Sequence, residues 1–215
     1  MRKIPTLFRR DPDQPALITR DVHPDCQWVL DGEGVPTRKL DGTCMGYFPA
    51  VHGEVRIHKG IGSDEVHQPG DVTGVWLARR EIKANQAAPD GFIVEQEDPV
   101  TGKAVGWVPV EQSAFLKYFN EALPRLGCSP YFGTYELCGP KVNGNPEHFA
   151  VHVLIRHHDT EILKGAPLDF DGLIAWLLRQ TCEGVVWHHA DGRMAKLKVR
   201  DARAYVAAQQ EAEAV

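Results

Sequence analysis

Short apolar runs, separated by clusters of glycine, proline, aspartate and asparagine, dominate the hydrophobic pattern of this chain. Runs of this kind, compact or alternating with polar residues, are typical of short β-strands joined by turns. We therefore expect strands at 16–18, 44–48, 55–57, 75–77 and 106–110.

Helical spacing of apolar residues is limited to a few segments. It predicts a helix over 111–126, which Gly127 is placed to end, and a second over 171–179 behind acidic residues suited to a cap. An alanine-rich third helix is expected from Asp201 to about 214, whereas 59–74 holds four glycines and a proline and indicates a surface loop. This mixture of elements predicts an α+β fold with mostly antiparallel sheets.

Composition narrows the class of protein. A chain of 215 residues that is 43% hydrophobic can bury one good core, so a single domain over 1–215 is expected. The net charge of -5 means that any contact with nucleic acid must come from a local basic patch. The cysteines are scattered and form no C-x-x-C pair, which favours a cytoplasmic protein. The chain has no long apolar stretch, so no membrane span is expected. Each adjacent pair of histidines, 157–158 and 188–189, can supply only one ligand to a site because neighbours in a strand point to opposite faces, so the pairs do not indicate structural zinc.

The run Lys39-Leu40-Asp41-Gly42 is the strongest candidate for chemistry. An unprotonated lysine can attack the α-phosphate of a nucleoside triphosphate and hold the nucleotide as a phosphoramidate. Average residue frequencies would supply this short pattern in about one chain in twenty, so it needs support from other residues.

Charged residues later in the chain meet the further needs of such a reaction. Glu136 precedes a glycine that allows a ligand to approach closely, and Glu183 stands before a β-branched run where a carboxylate could bind Mg²⁺ directly or through water. Lys196 and Lys198 alternate along a predicted strand and should point to one face. Both amines could then meet one anion.

The ordered set of these runs resembles the covalent nucleotidyltransferase superfamily of DNA ligases, RNA ligases and mRNA capping enzymes. Within it, the chain is most similar to the small single-domain 5′-to-3′ RNA ligases of the vertebrate RNA ligase 1 type. The runs that carry this second likeness are Thr43-Cys44, Gly106-Trp107-Val108-Pro109 and Glu136-Leu-Cys-Gly-Pro-Lys-Val-Asn-Gly-Asn-Pro146.

The resemblance implies a ligase adenylation domain with antiparallel sheets flanked by helices, using ATP with Mg²⁺ or Mn²⁺. It implies roles for individual residues: AMP attachment to Lys39, ordering of the loop or deprotonation of the lysine by Asp41, ribose contact by Glu136, metal binding by Glu183, and α-phosphate contact by Lys196 and Lys198. Such ligases keep an arginine after the lysine motif, and Arg56 or Lys59 would fill its role here. Phe149 is the first choice for the residue that stacks on adenine.

The expected function is ATP-dependent RNA ligation in RNA repair, joining 5′-phosphate and 3′-hydroxyl ends without an obligate protein partner. Because the chain ends seventeen residues after Lys198, no C-terminal OB-fold is expected, which disfavours DNA-nick ligases and capping-type enzymes. Two alternative functions stay open. One is an inert nucleotide-binding or RNA-binding module, and the other is an enzyme that passes AMP to a protein or small molecule. Local phosphate affinity would come from basic residues near both ends: Arg2, Lys3, Arg9, Arg10, Arg193, Lys196, Lys198, Arg200 and Arg203.

Overall fold

The structure is a computed structural model that describes residues 3–51, 54–57, 73–127 and 129–213. The chain divides into two compact units. The central unit comprises Met1–Lys3 and Asp41–Asp159, and the terminal unit comprises Ile4–Leu40 and Thr160–Val215. The single domain expected from the sequence stays a prediction.

Strands and helices alternate irregularly along the described residues. The strands are β1 (Phe8–Arg10), β2 (Ile18–Val22), β3 (Val35–Lys39), β4 (Thr43–Val51), β5 (Glu54–Val55), β6 (Thr73–Ile82), β7 (Ile93–Glu97), β8 (Ala104–Pro109), β9 (Gly133–Cys138), β10 (Val153–Arg156), β11 (Gly184–His188) and β12 (Met194–Lys198). The helices are α1 (Gln27–Leu30), α2 (Leu116–Ala122), α3 (Phe170–Leu178) and α4 (Val199–Glu213). Every strand pair described is antiparallel, which confirms the α+β prediction with antiparallel sheets.

The terminal unit is built around an antiparallel sheet in which β11 lies between β3 and β12. Strands β1 and β2 form a separate pair. Apolar residues on one face of β11 and β12, such as Val185 and Leu197, pack with α3 residues such as Leu173 and Leu177 into one buried core. The opposite face of this sheet is thereby left for polar side chains, because successive strand residues point to opposite sides.

The central unit contains the larger sheet, with the order β10-β9-β4-β6-β8-β7 and with β5 paired to β4. Its core combines residues of β4, β6, β8 and β9 with apolar residues of α2, among them Met45, Val108, Phe119 and Leu137. Strand β9 lies between β4 and β10, so a side chain in its middle has neighbours on both sides.

The helix predicted over 111–126 is wrong in its extent. Ser113 has an extended backbone (φ −79°, ψ 138°), so a helix cannot pass through it, and α2 begins only at Leu116. After Ala122 the chain tightens into a 3₁₀ turn that contains Pro124, whose ring removes a helical N–H donor. Gly127 ends this turn with a left-handed backbone (φ 67°), as the sequence predicts.

Most of the other predicted elements are close to the observed ones, although β5 ends at Val55 and the strand predicted at 55–57 is wrong beyond that residue. Helix α3 is capped by Asp169, whose Oδ1 accepts from the Gly172 N–H (2.8 Å), and α4 begins at Val199, two residues before the predicted start. The strand predicted at 16–18 is largely wrong, because the Leu17 N–H donates to the Gln14 carbonyl (2.8 Å) in a turn and β2 begins at residue 18. The 59–74 prediction lies almost wholly outside the described residues. No helix in the described part of the chain is long and apolar enough to cross a membrane.

Candidate active site

In the terminal unit, three charged side chains meet at one end of the sheet. Lys39 and Lys198 are the last residues of the outer strands, and both are paired in register with Gly184 of the central strand. Glu183 directly precedes Gly184, so its carboxylate lies between the two lysines. Lys39 Nζ donates to Glu183 Oε2, and Lys198 Nζ pairs with Oε1. The structure thus brings together three of the predicted site residues.

This cluster is partly shielded from water, with 22%, 14% and 17% of the side chains of Lys39, Glu183 and Lys198 exposed. Burial raises the pKa of Glu183, but the charges and hydrogen bonds of Lys39 and Lys198 outweigh it and hold that pKa below its ordinary value of 4.5. Glu183 is therefore ionised at neutral pH. Lys39 Nζ also donates to the Leu40 carbonyl (3.4 Å), which helps to fix its position.

The lowered pKa of Glu183 predicts an acid-dependent loss of stability. Its contribution is fully present above the ordinary value of 4.5 and is lost as the pH falls through the lower pKa of the folded state. We expect the difference in free energy of unfolding between the wild type and Glu183→Gln to shrink from about pH 6 to about pH 3. Urea unfolding of both proteins at several pH values measures this difference. A difference that does not change with pH would contradict the lowered pKa of Glu183.

Gly184 is required by the close approach of β12. A Cβ at this position would lie 2.3 Å from the Leu197 carbonyl oxygen and 2.7 Å from the Lys198 Cα, and both are backbone atoms that cannot move aside. The glycine in the Glu183-Gly184 motif therefore allows the pairing that places Glu183 between the lysines.

We expect Gly184→Ala to lower the free energy of unfolding by about 3 kcal/mol, because the added methyl group separates two paired strands. The matched control is Gly165→Ala in the same unit, where the Cβ would meet nothing within 4 Å. Its positive φ of 72° should cost only about 1 kcal/mol. Chemical unfolding of both variants tests this, and equal losses would argue against a special role for residue 184.

Lys196 lies two residues before Lys198 on β12, and the alternation predicted from the sequence is confirmed. Ala195 and Leu197 are fully buried, whereas Lys196 and Lys198 are half-buried on the opposite face. Lys196 is paired in register with Val186, which in turn is paired with Thr37 of β3. The polar face of this sheet therefore carries three lysines, two of which pair with Glu183.

In the central unit, Asp41 and Gly42 are held by the loop that follows β9. The Asp41 N–H donates to Glu147 Oε1 (3.0 Å), and Asn143 Nδ2 donates to Asp41 Oδ1 (3.2 Å) and to the Gly42 carbonyl (2.6 Å). Asn143 adopts a left-handed backbone (φ 48°), a conformation that asparagine tolerates better than most residues. Asn143 and Glu147 are anchoring residues that the sequence did not single out, although Asn143 belongs to the run from Glu136 to Pro146.

Glu136 is buried and lies within β9. Its Oε1 accepts from the Gly42 N–H (3.1 Å), and its Oε2 lies 2.8 Å from His157 Nε2. A Cβ on Gly42 would be 2.3 Å from the Leu137 carbonyl oxygen, so the glycine of the lysine motif is needed for this contact. His157 is a further neighbour of Glu136 that local sequence patterns could not reveal.

The remaining predicted site residues also lie in the central unit. Phe149 is half-buried, and both of its backbone polar groups bond to the side chain of Asn145 (3.0 Å each). Arg56 is exposed just after β5. Lys59, the alternative to Arg56, lies outside the described residues. The roles assigned to all three stay predictions.

Comparison with known proteins bears on these motifs directly. The model of the RNA ligase 1 family matches residues 131–204 of this chain, a segment that includes Glu136, Glu183, Lys196 and Lys198. RNA ligase 1 of Pongo abelii is 26% identical over 265 residues, covering 91% of this chain and 79% of that protein. The resemblance to RNA ligases is confirmed. RNA ligase 1 of Rattus norvegicus is 24% identical over 226 residues, covering 85% of this chain and 66% of that protein.

The likeness to RNA ligase 1 extends over both units of the chain. The family match covers β9 to the first part of α4, and the alignment with the Pongo abelii RNA ligase 1 reaches well beyond it. Lys39 and Asp41 lie outside the family match. Their assignment therefore depends on the motif in the sequence and, for Lys39, on its pairing with Glu183.

Proposed function

We propose that this protein is an ATP-dependent RNA ligase that works through a lysyl-AMP intermediate on Lys39, within a nucleotidyltransferase fold. The observation that carries the proposal is the ionised Glu183 held between Lys39 and Lys198 at one end of the sheet. Lysines from two strands that are far apart in sequence converge on one carboxylate, so an amine that can act as nucleophile and a second cation lie close enough to meet one phosphate.

In the first step, Lys39 Nζ forms a bond to the α-phosphorus of ATP while the bond from that phosphorus to the β-bridging oxygen breaks. Pyrophosphate leaves, and the nitrogen of the new P–N bond loses a proton to the solvent. The Lys39 ammonium must already have given up a first proton before it attacked. Glu183 Oε2, which accepts a hydrogen bond from Lys39, is the nearest acceptor for that proton among the contacts described. Glu183 therefore positions the nucleophile and balances its charge before the nucleotide arrives.

The lysines also explain why an anion would be attracted to this face. Lys39, Lys196 and Lys198 bring three positive charges to the strands, and Glu183 contributes one negative charge. Fixed cations in a partly shielded site stabilise negative charge that develops on a phosphate in the transition state. Lys198 and Lys196 would contact the α-phosphate oxygens as Lys39 attacks.

Glu183 could take part in binding a divalent metal, but its existing ion pairs limit direct coordination. A carboxylate is a ligand that Mg²⁺ prefers, but each Glu183 oxygen already pairs with a lysine Nζ. Mg²⁺ or Mn²⁺ brought with ATP would therefore contact Glu183 through a water molecule and would neutralise charge on the triphosphate.

Two later steps complete the proposed reaction. AMP passes from Lys39 to the 5′-phosphate of an RNA end, and a 3′-hydroxyl then attacks that phosphate and releases AMP. The RNA acceptor is supported by the likeness to RNA ligase 1 of two mammals. A role in RNA repair is part of the same proposal, since this chemistry restores a broken strand.

The decisive experiment is covalent labelling. The protein is incubated with ATP or GTP labelled at the α-phosphate and Mg²⁺, and is then run on a denaturing gel. We expect an acid-labile label from ATP, because phosphoramidates hydrolyse in acid. A label from GTP alone would indicate a capping-type enzyme, and no label from either nucleotide would indicate a binding module.

The acceptor is identified in a second stage. The AMP-labelled protein is given RNA or DNA strands with a 5′-phosphate and a 3′-hydroxyl, and the products are separated by size. Sealed RNA is the expected product. Sealing of DNA alone would replace our proposal with a DNA-nick ligase, and a label that moves to neither strand would point to transfer of AMP to a protein or small molecule.

A further inference from the structure

Three potential metal ligands converge in the central unit on one face of its sheet. Cys44 of β4 is paired in register with Glu136 of β9, so their side chains point to the same face. Glu136 is paired on its other side with Ile155 of β10, and His157 follows two residues later. His157 begins a 3₁₀ turn directly after β10, and its Nε2 lies 2.8 Å from Glu136 Oε2.

The donor atoms of this cluster are close together. The Cys44 Sγ, a Glu136 carboxylate oxygen and a His157 ring nitrogen all lie within 4.8 Å of one another. A tetrahedral Zn²⁺ with ligand bonds of about 2.0 to 2.3 Å needs donors about 3.5 Å apart. Donor atoms within 4.8 Å of one another need only small side-chain rotations to reach this spacing. Glu136 is buried, and Cys44 and His157 are half-buried.

The surrounding hydrogen bonds orient two of the three donors. His157 Nδ1 lies 2.9 Å from Thr134 Oγ1, which leaves Nε2 directed at Glu136 Oε2 (2.8 Å). The other carboxylate oxygen of Glu136 accepts from the Gly42 N–H (3.1 Å). Metal-binding histidines usually have the second ring nitrogen bonded to such a partner, which fixes the ring and the tautomer.

We infer that Cys44, Glu136 and His157 form a binding site for a thiophilic divalent cation, with Zn²⁺ as the best fit. A thiolate and an imidazole select zinc over magnesium, and three protein ligands leave a fourth position for water. Binding converts the Cys44 thiol to a thiolate and releases its proton to solvent. Glu183, the residue proposed for the Mg²⁺ that would accompany ATP, is not among the ligands of this site.

The inferred site changes one expectation from the sequence. The sequence did not indicate structural zinc, because an adjacent pair can supply only one ligand to a site; here His157 supplies that ligand, and the exposed His158 does not belong to the cluster. If the ribose role proposed for Glu136 holds, bound Zn²⁺ would occupy the same carboxylate and oppose nucleotide binding. That consequence rests on the proposed function, whereas metal binding itself does not.

The test uses full-length, tag-free protein cleared of metal, with Co²⁺ as a spectroscopic substitute for Zn²⁺. We expect Co²⁺ to produce a near-ultraviolet thiolate-to-metal absorption band, which Zn²⁺ then removes because it binds such sites more tightly. Cys44→Ser should abolish the band. His157→Gln should weaken Co²⁺ affinity at least about tenfold, and the neighbouring control His158→Gln should leave it unchanged.

A measurement on the wild type removes dependence on variants that fail to fold. Zn²⁺ should slow alkylation of Cys44 at least about tenfold, as read by peptide mass spectrometry, without protecting Cys182. The inference is overturned if Co²⁺ gives no thiolate band, if a folded Cys44→Ser keeps it, if His157→Gln behaves like His158→Gln, or if Zn²⁺ leaves the alkylation of Cys44 unchanged. None of these results involves ATP, so they are independent of the ligase proposal.

Discussion

Replacing Lys39 by alanine is expected to remove the covalent label from α-labelled ATP, lowering its formation at least about 1000-fold. The physical reason is that no other group can form the phosphoramidate once the attacking amine is gone. Lys39→Arg is the more informative variant. Its guanidinium keeps a positive charge beside Glu183 but stays protonated and cannot attack phosphorus.

The control for this prediction is Lys164→Ala, which removes an exposed lysine of the same unit and should leave labelling unchanged. Circular dichroism and thermal melting show whether each variant is folded. An undiminished acid-labile label in a folded Lys39→Arg protein would mean that another residue carries AMP.

Glu183→Gln is expected to lower label formation about 100-fold, because it removes the charge that holds both Lys39 and Lys198. Glutamine has nearly the same shape, so the change is electrostatic. The two lysines would then lie near each other in a partly shielded site without a counter-charge, and we expect a loss of stability of about 2 kcal/mol.

The matched control is Glu161→Gln, which neutralises an exposed carboxylate 3.9 Å from Arg38 in the same unit. An exposed pair at this separation contributes little, so both labelling and stability should stay near the wild-type values. If Glu183→Gln labels as well as Glu161→Gln, the carboxylate does not position Lys39 for attack.

Local sequence patterns predicted the structural features that depend only on residues close together in the chain, such as strand alternation and the position of a helix. Alternation along 194–198 placed Lys196 and Lys198 on one face, and the spacing of apolar residues located α3 to within a residue. The prediction over 111–126 was wrong because the extended Ser113 interrupts it, and α2 extends only from Leu116 to Ala122. The spacing of apolar residues carries no information about the backbone angles of one polar residue such as Ser113.

The sequence by itself determined which chemical groups this protein has and the order in which they occur. The lysine of the motif, the two glutamates and the alternating lysines were all visible, as was the likeness to RNA ligases that the comparisons confirm. Only the tertiary structure decided that Glu183 lies between Lys39, 144 positions away, and Lys198, that Asn143 anchors Asp41, and that His157 approaches Cys44. These contacts depend on strand register and on close backbone approach at Gly42 and Gly184, which are set by packing between distant segments and leave no trace in local periodicity.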